Sequence, residues 1–197
     1  MSAERLLDDD GADVEASRML DRHHPIVGDE VDPTYCVACG FAVGCAKDMI
    51  DHFSPTGVVL DPCRGLGAFH NLLPADSPWC EITEGSDFFD WSEPVDWVIG
   101  NPPYSLTRKW FAHSYTIAEH LVYLIPLRNF FSGYGFVRDL HEWGGIREIR
   151  CYGTGGRLGF PMGNAVGAIH AQRGHGGSTD FTFYDDIPTD IFTGAAT

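Results

Sequence analysis

The chain has 197 residues, with 44% hydrophobic and 13% aromatic residues, enough for the core of one α/β domain with a short extension, and too many for a disordered chain. Asp and Glu number 28 against 13 Lys and Arg, for a net charge of −15, which excludes a uniformly basic nucleic-acid coat. No apolar run is long enough to span a bilayer, and the acidic start Met1 to Asp10 lacks the apolar stretch of a signal peptide, so the expectation is a soluble, cytoplasmic protein.

Only Lys47 and Lys109 are lysines. An acidic, lysine-poor surface suits high salt, as in a halophilic host or its virus; an ordinary acidic protein from a GC-rich genome fits equally. Charge is also local. Acids crowd the first 32 residues, whereas arginines gather later, at Arg64, Arg108, Arg128, Arg138, Arg147, Arg150, Arg157 and Arg173. Phosphate binding needs a patch of this kind and not a basic total.

Residues 1–32 read as an acidic N-terminal extension, and 33–197 as the folded domain. Cys36, Cys39 and Cys45 follow, with part of the spacing of a zinc site. His23, His24 or His52 would have to supply the fourth ligand; reduced buried thiols are the favoured reading and structural zinc the alternative. Ala46 to Phe53 has a helical pattern, broken by Ser54-Pro55-Thr56-Gly57. Val58 to Leu60 is an apolar run ending in Asp61, the signature of a buried parallel strand. Val95 to Ile99 and Leu121 to Ile125 repeat it, and Ile146 to Cys151 and Ala165 to Ala171 read as the last two strands. Thr107 to His120 and Val137 to Trp143 suit helices, which would place His113 and His120 on a helix face. Gly153 to Gly163 and Gly174 to Gly177 read as loops. Strands alternating with helices predict an open, doubly wound sheet that binds ligands beyond its carboxyl ends, where Asp61 and Asn101 both fall.

Two segments carry chemistry. In Asp61-Pro62-Cys63-Arg64-Gly65-Leu66-Gly67-Ala68-Phe69 an apolar strand enters an acid and a glycine-rich turn, ahead of an expected helix. The glycines admit a ligand close to the backbone, and the acid accepts from a cationic amine. In Asn101-Pro102-Pro103-Tyr104 an amide oxygen and the Pro102 carbonyl can both accept from one NH2 group. The prolines fix the backbone, and the tyrosine offers a face for a planar base.

Together these segments resemble the N6-adenine-specific DNA methyltransferases, S-adenosylmethionine-dependent amino-methyltransferases of the class I Rossmann-like fold, above all the short phage- and virus-type members. The resemblance runs from about Asp48 to Arg173. It implies a doubly wound, mostly parallel, seven-stranded sheet. It implies that Asp61, Cys63, Gly65, Gly67 and Phe69 hold the cofactor. Glu81 matches the acid that binds the ribose hydroxyls, and Asp87 with Phe88 matches the pair at the cofactor's adenine. Asn101, Pro102 and Tyr104 match the catalytic motif, with Pro103 and Tyr104 against the substrate base. The implied reaction is direct methyl transfer to the exocyclic N6 amine of a flipped adenine in DNA.

Departures from the family pattern are equally specific. Cys63-Arg64 replaces the Phe and the variable residue common in that loop. Only six positions separate Glu81 from Asp87, so one helix is short or missing. No large insertion houses a target-recognition domain; specificity then falls to the loops at 104–109, 129–136 and 153–164. Arg108 and Lys109 suit a DNA phosphate or, equally, a solvated helix start. Methylation of an RNA base or a protein glutamine, and a catalytically silent cofactor-binding subunit, are the alternative functions.

Overall fold

Apolar residues at every position of a strand demand cover on both faces, and the observed sheet is built around that demand. The computed structural model describes residues 44–155 and 163–184. The boundary expected near residue 32, Cys36, Cys39, His23, His24, Arg157 and the segment Phe160 to Met162 lie outside the described residues. Six strands form one sheet: β1 (Val59–Leu60), β2 (Val95–Gly100), β3 (Ala118–Pro126), β4 (Gly144–Thr154), β5 (Ala165–Arg173) and β6 (Asp180–Phe183). Their order across the sheet is β1-β2-β3-β5-β4-β6. β5 runs antiparallel to β3 and β4, and the other pairings are parallel.

Side-chain alternation along the strands divides the core in two. On one face Leu60, Val98, Leu121, Tyr123, Ile125, Ile149 and Ile169 pack with Trp110, Phe111 and Leu140. These come from helix α2 (Thr107–Ile117) and helix α4 (Tyr134–Trp143). On the other face Val59, Trp97, Ile99, Val122, Leu124 and Val166 meet Cys45, Ala46 and Met49 of the helix at 44–53, here α1. A single turn, α3 (Leu127–Phe130), leaves the end of β3.

Most expected elements are present, with corrections. Among the described residues the sheet has six strands rather than seven. Ahead of Glu81 the chain makes only an isolated parallel bridge between Asp61 and Trp79. The expected helix after the glycine turn is absent; 3-10 turns at His70–Leu72, Ile82–Glu84 and Phe88–Asp90 connect β1 to β2. Pro74 and Pro78, with Ala75, Asp76 and Ser77 between them, leave no apolar stripe there long enough for a helix. The helix expected to reach His120 stops at Ile117, because Ala118 turns extended and β3 begins, so His120 is a strand residue. β6 and α3 were not foreseen.

Candidate active site

Register brings the two chemical segments together. Leu60 of β1 pairs with Val98 of β2, so Asp61 and Asn101 both emerge at the carboxyl edge of adjacent parallel strands. The contact is tight: a Cβ added at Gly100 would lie 3.0 Å from Pro62 Cδ and 3.4 Å from Asp61 Oδ1. The main-chain N–H of Asn101 also faces the Cys63 thiol, while burial, the largest influence, pushes that thiol's pKa up.

Asp61 is fully buried. Its Oδ1 accepts from the Cys63 amide at 3.2 Å, and Oδ2 makes no hydrogen bond among the described residues. Burial pushes its pKa up to about 7; the Cys63 and His70 amides and the Arg64 charge act against burial, and the nearby Glu81 charge adds to it. An acid in this state lacks a cationic donor.

The glycine turn is shaped for close approach. Gly65 and Gly67 have φ of 51° and 87°, in the left-handed region, and a Cβ at Gly67 would sit 2.6 Å from the Asn71 side chain. Glu81 reaches back to brace this turn. Its Oε2 accepts from the Gly65 amide at 2.8 Å, and Oε1 accepts from Thr83 Oγ1 at 2.7 Å and the Thr83 amide at 3.1 Å. Arg64 lies over the Trp79 ring at 4.5 Å and donates to Glu84 at 2.8 Å. Asp87 caps its 3-10 turn by accepting from the Phe89 amide at 3.0 Å.

Asn101 is half-buried, and its Oδ1 is buried without a hydrogen-bond partner among the described residues. Pro102 is buried, and Pro103 is extended at φ −56° and ψ 121°. Tyr104 opens a 3-10 turn and packs against the core. Its carbonyl accepts from Thr107 Oγ1 at 2.8 Å and lies 3.5 Å from Asn129 Nδ2. Asn129 sits on α3, so the loop after β3 is tied to the Asn101–Tyr104 segment. That tie was not legible in sequence, although the loop itself was singled out.

Two expected pocket residues sit in the core. Phe88 is 2% exposed and stacks on Trp110 at 4.5 Å, and Phe69 is 3% exposed within the other core layer. Both fill the interior behind the loops, as their apolar burial favours.

The charges around this edge are uneven. Arg108 and Lys109 are exposed in the first turn of α2, and Arg128 follows β3. Among the described residues none of the three has an acid within ion-pair distance. The other described cations are engaged: Lys47 with Asp51, Arg64 with Glu84, Arg138 with Glu142, Arg150 with Asp48, Arg173 with Glu119, and Arg147 with Gln172. No group of three or more metal-ligating side chains is brought together among the described residues. Cys45 is buried and His52 bonds Glu148 at 2.7 Å. None of the described helices is long and apolar enough to cross a membrane.

No family model matches the chain, and no curated protein matches it in sequence. Solved structures do match. A protein assigned as a class I S-adenosylmethionine-dependent methyltransferase from Listeria monocytogenes aligns over 74% of this chain and 64% of its own, at 12% identity and TM-score 0.51. A modification subunit assigned to a type I restriction enzyme from Vibrio vulnificus aligns over 86% of this chain and 51% of its own, at 14% identity and TM-score 0.52. The magnesium protoporphyrin IX methyltransferase of Synechocystis, solved with bound S-adenosylmethionine, aligns over 87% of this chain and all of its own, at 15% identity and TM-score 0.51. The chain thus spans about two-thirds of the first protein and half of the second. These likenesses show the fold: the chain has the Rossmann-like class I methyltransferase architecture.

Proposed function

We propose that the chain transfers a methyl group from S-adenosylmethionine to the exocyclic N6 amine of adenine in DNA. One observation carries the reading. Two buried acceptors, Asp61 Oδ2 and Asn101 Oδ1, at the carboxyl ends of adjacent strands have no hydrogen-bond donor among the described residues. Each unfilled acceptor costs stability, so each marks a place for a ligand's N–H.

The turn fits the cofactor. Asp61 would hold its cationic amine, Gly65 and Gly67 would admit it close to the backbone, and Cys63, Glu81 and Asp87 would border it. When bound, the cofactor supplies a methyl group already activated by its sulfonium. The chain's own residues position the acceptor. A paired adenine cannot reach the site while stacked, so it must be flipped out. The Tyr104 ring would stack on it, with Pro103 holding that ring's backbone. Asn101 Oδ1 and the Pro102 carbonyl would accept the two N6 hydrogens, which turns the nitrogen lone pair outward. No strong base is needed first, because the N6 proton becomes acidic only after alkylation. Arg108 and Lys109 would meet phosphates beside the base.

The test is incubation of the protein with methyl-labelled cofactor and, separately, DNA, RNA and protein. Label on adenine N6 in DNA is the expected result. Label on RNA or glutamine would move the substrate class, and cofactor binding without transfer to any of the three would identify a silent subunit.

A further inference from the structure

We propose that Phe131 and Tyr134 form a stacking ledge for unpaired bases next to the target, so that single-stranded DNA is the preferred substrate. The inference rests on the adenine-methyltransferase reading of the site and adds a strand preference and two specificity residues to it.

Position comes first. Asn129 reaches the Tyr104 carbonyl, and the Arg108 guanidinium lies 3.8 Å from where a Cβ at Gly135 would be. The segment from Arg128 to Gly135 therefore borders the catalytic loop. Phe130 anchors it from inside: it is fully buried and packs edge-on to Phe136 at 5.3 Å. The next ring packs edge-on to Phe130 at 4.9 Å and still keeps much of its surface outward. Phe131 is 55% exposed, and Tyr134, the first residue of α4, is 84% exposed. Two large rings held in water on an anchored segment have a face to offer.

Charge identifies the occupant. In a chain of net charge −15, a polyanion can approach only where cations are not already neutralised. Among the described residues Arg108, Lys109 and Arg128 meet that condition; Arg108 lies against Gly135 and Arg128 stands in the turn that runs into Phe131. The first turns of α2 and α4 contain no acid. Rings interleaved with free cations suit a nucleic acid whose base faces are open. A duplex hides those faces in its own stack, which leaves the rings nothing to bind.

The test uses the full chain and a fluorescent 12-nucleotide single strand with one adenine, and the blunt duplex of the same sequence, without cofactor. Anisotropy should show the single strand binding about tenfold more tightly than the duplex. Phe131→Ala and Tyr134→Ala should each weaken single-strand binding about tenfold, Tyr134→Phe should restore it, and cofactor affinity should not change. Duplex binding at least as tight as single-strand binding, or alanine variants that bind the single strand like the parent, would overturn the ledge. Methyl transfer by the unaltered chain is measured in parallel on both oligonucleotides. Absence of transfer to either sinks the proposed function, whereas the ledge stands or falls on the binding data alone.

Discussion

Asp48 and Asp61 both belong to the packed interior around the sheet, and their surroundings differ in kind. Asp48, on α1, receives Arg150 Nη2 at 2.9 Å and the Tyr152 hydroxyl at 2.6 Å, with Arg150 Nε closing the pair. Burial alone would raise its pKa, but these donors and the Arg150 charge outweigh it and hold the carboxyl below its ordinary range. Asp61 is more deeply buried, faces only the Cys63 and His70 amides with no cationic partner bonded to it among the described residues, and is pushed up to about 7. Saturated, the first carboxylate clips a helix to a strand. Unsaturated and charged, the second costs the fold stability, which a proton or a bound donor would return. A buried polar group with all its bonds made is architecture, and one with a bond missing is a candidate for chemistry.

The sharpest way to break that contrast is at the other unsaturated atom. Asn101→Ala should lower methyl transfer about 10³-fold, the scale expected when a positioned polar group at a reacting centre is removed. Cofactor affinity, measured by calorimetry, should stay as it was. Transfer within tenfold of the parent would remove Asn101 from the mechanism.

Asp61→Asn comes next. It should weaken cofactor binding about 100-fold, the scale for losing one member of a buried charge pair. The same change should stabilise the ligand-free protein. A folded pKa raised from 3.8 to about 7 contributes stability that is complete below 3.8 and is lost as pH rises through 7. That loss is on the order of 4 kcal/mol at most. Denaturant titrations should therefore show a gain for the variant that grows from pH 4 to pH 7 and then levels off. A variant no more stable than the parent at pH 8 would mean that the carboxylate already has its donors.

Asp48→Ala is the mirror experiment. It strips the saturated clip and leaves Arg150 without its acid. Both side chains keep some solvent contact, so about 2 kcal/mol is expected rather than the full penalty of a buried pair. Cofactor affinity of the folded variant should match the parent's. A specific loss of cofactor binding would show that the clip supports the site.

Much of this was legible from the residue pattern. The strand cores around Val98 and Leu121 are apolar runs in the sequence, whereas the strand at Ile149 alternates apolar and charged residues. Asp61 and Asn101 were placed at one edge because each ends such a run. What escaped depends on tertiary context. β6 is four residues with only a parallel partner to define it, and β3 captured Ala118 to His120 from a helical pattern. Glu81 was read as a ribose ligand; that it also braces Gly65 from sixteen residues away is invisible in spacing. Arg108 and Arg128 stand out as lacking an acid among the described residues only once the partners of the other described arginines are known.

The smallest expected effect tests the contrast far from the candidate site. His120 and His170 bond each other at 3.1 Å, beneath Trp97, which stacks on His120 at 4.1 Å. Burial and the neighbouring His120 and Arg147 charges push His170 down to about 3. Its sign is opposite to that of Asp61. A histidine held neutral contributes stability that is present above 6.5 and is lost as pH falls toward 3. Between pH 6.5 and 5 the loss should be about 2 kcal/mol. Asp61 gains stability over the same interval and would mask it, so the measurement belongs in the Asp61→Asn background. There the parent pair should lose denaturant resistance on acidification, and adding His170→Gln should flatten the slope. Equal slopes with and without His170 would mean that this imidazole takes up its proton inside the fold, and that bond saturation does not by itself hold a buried group in one charge state.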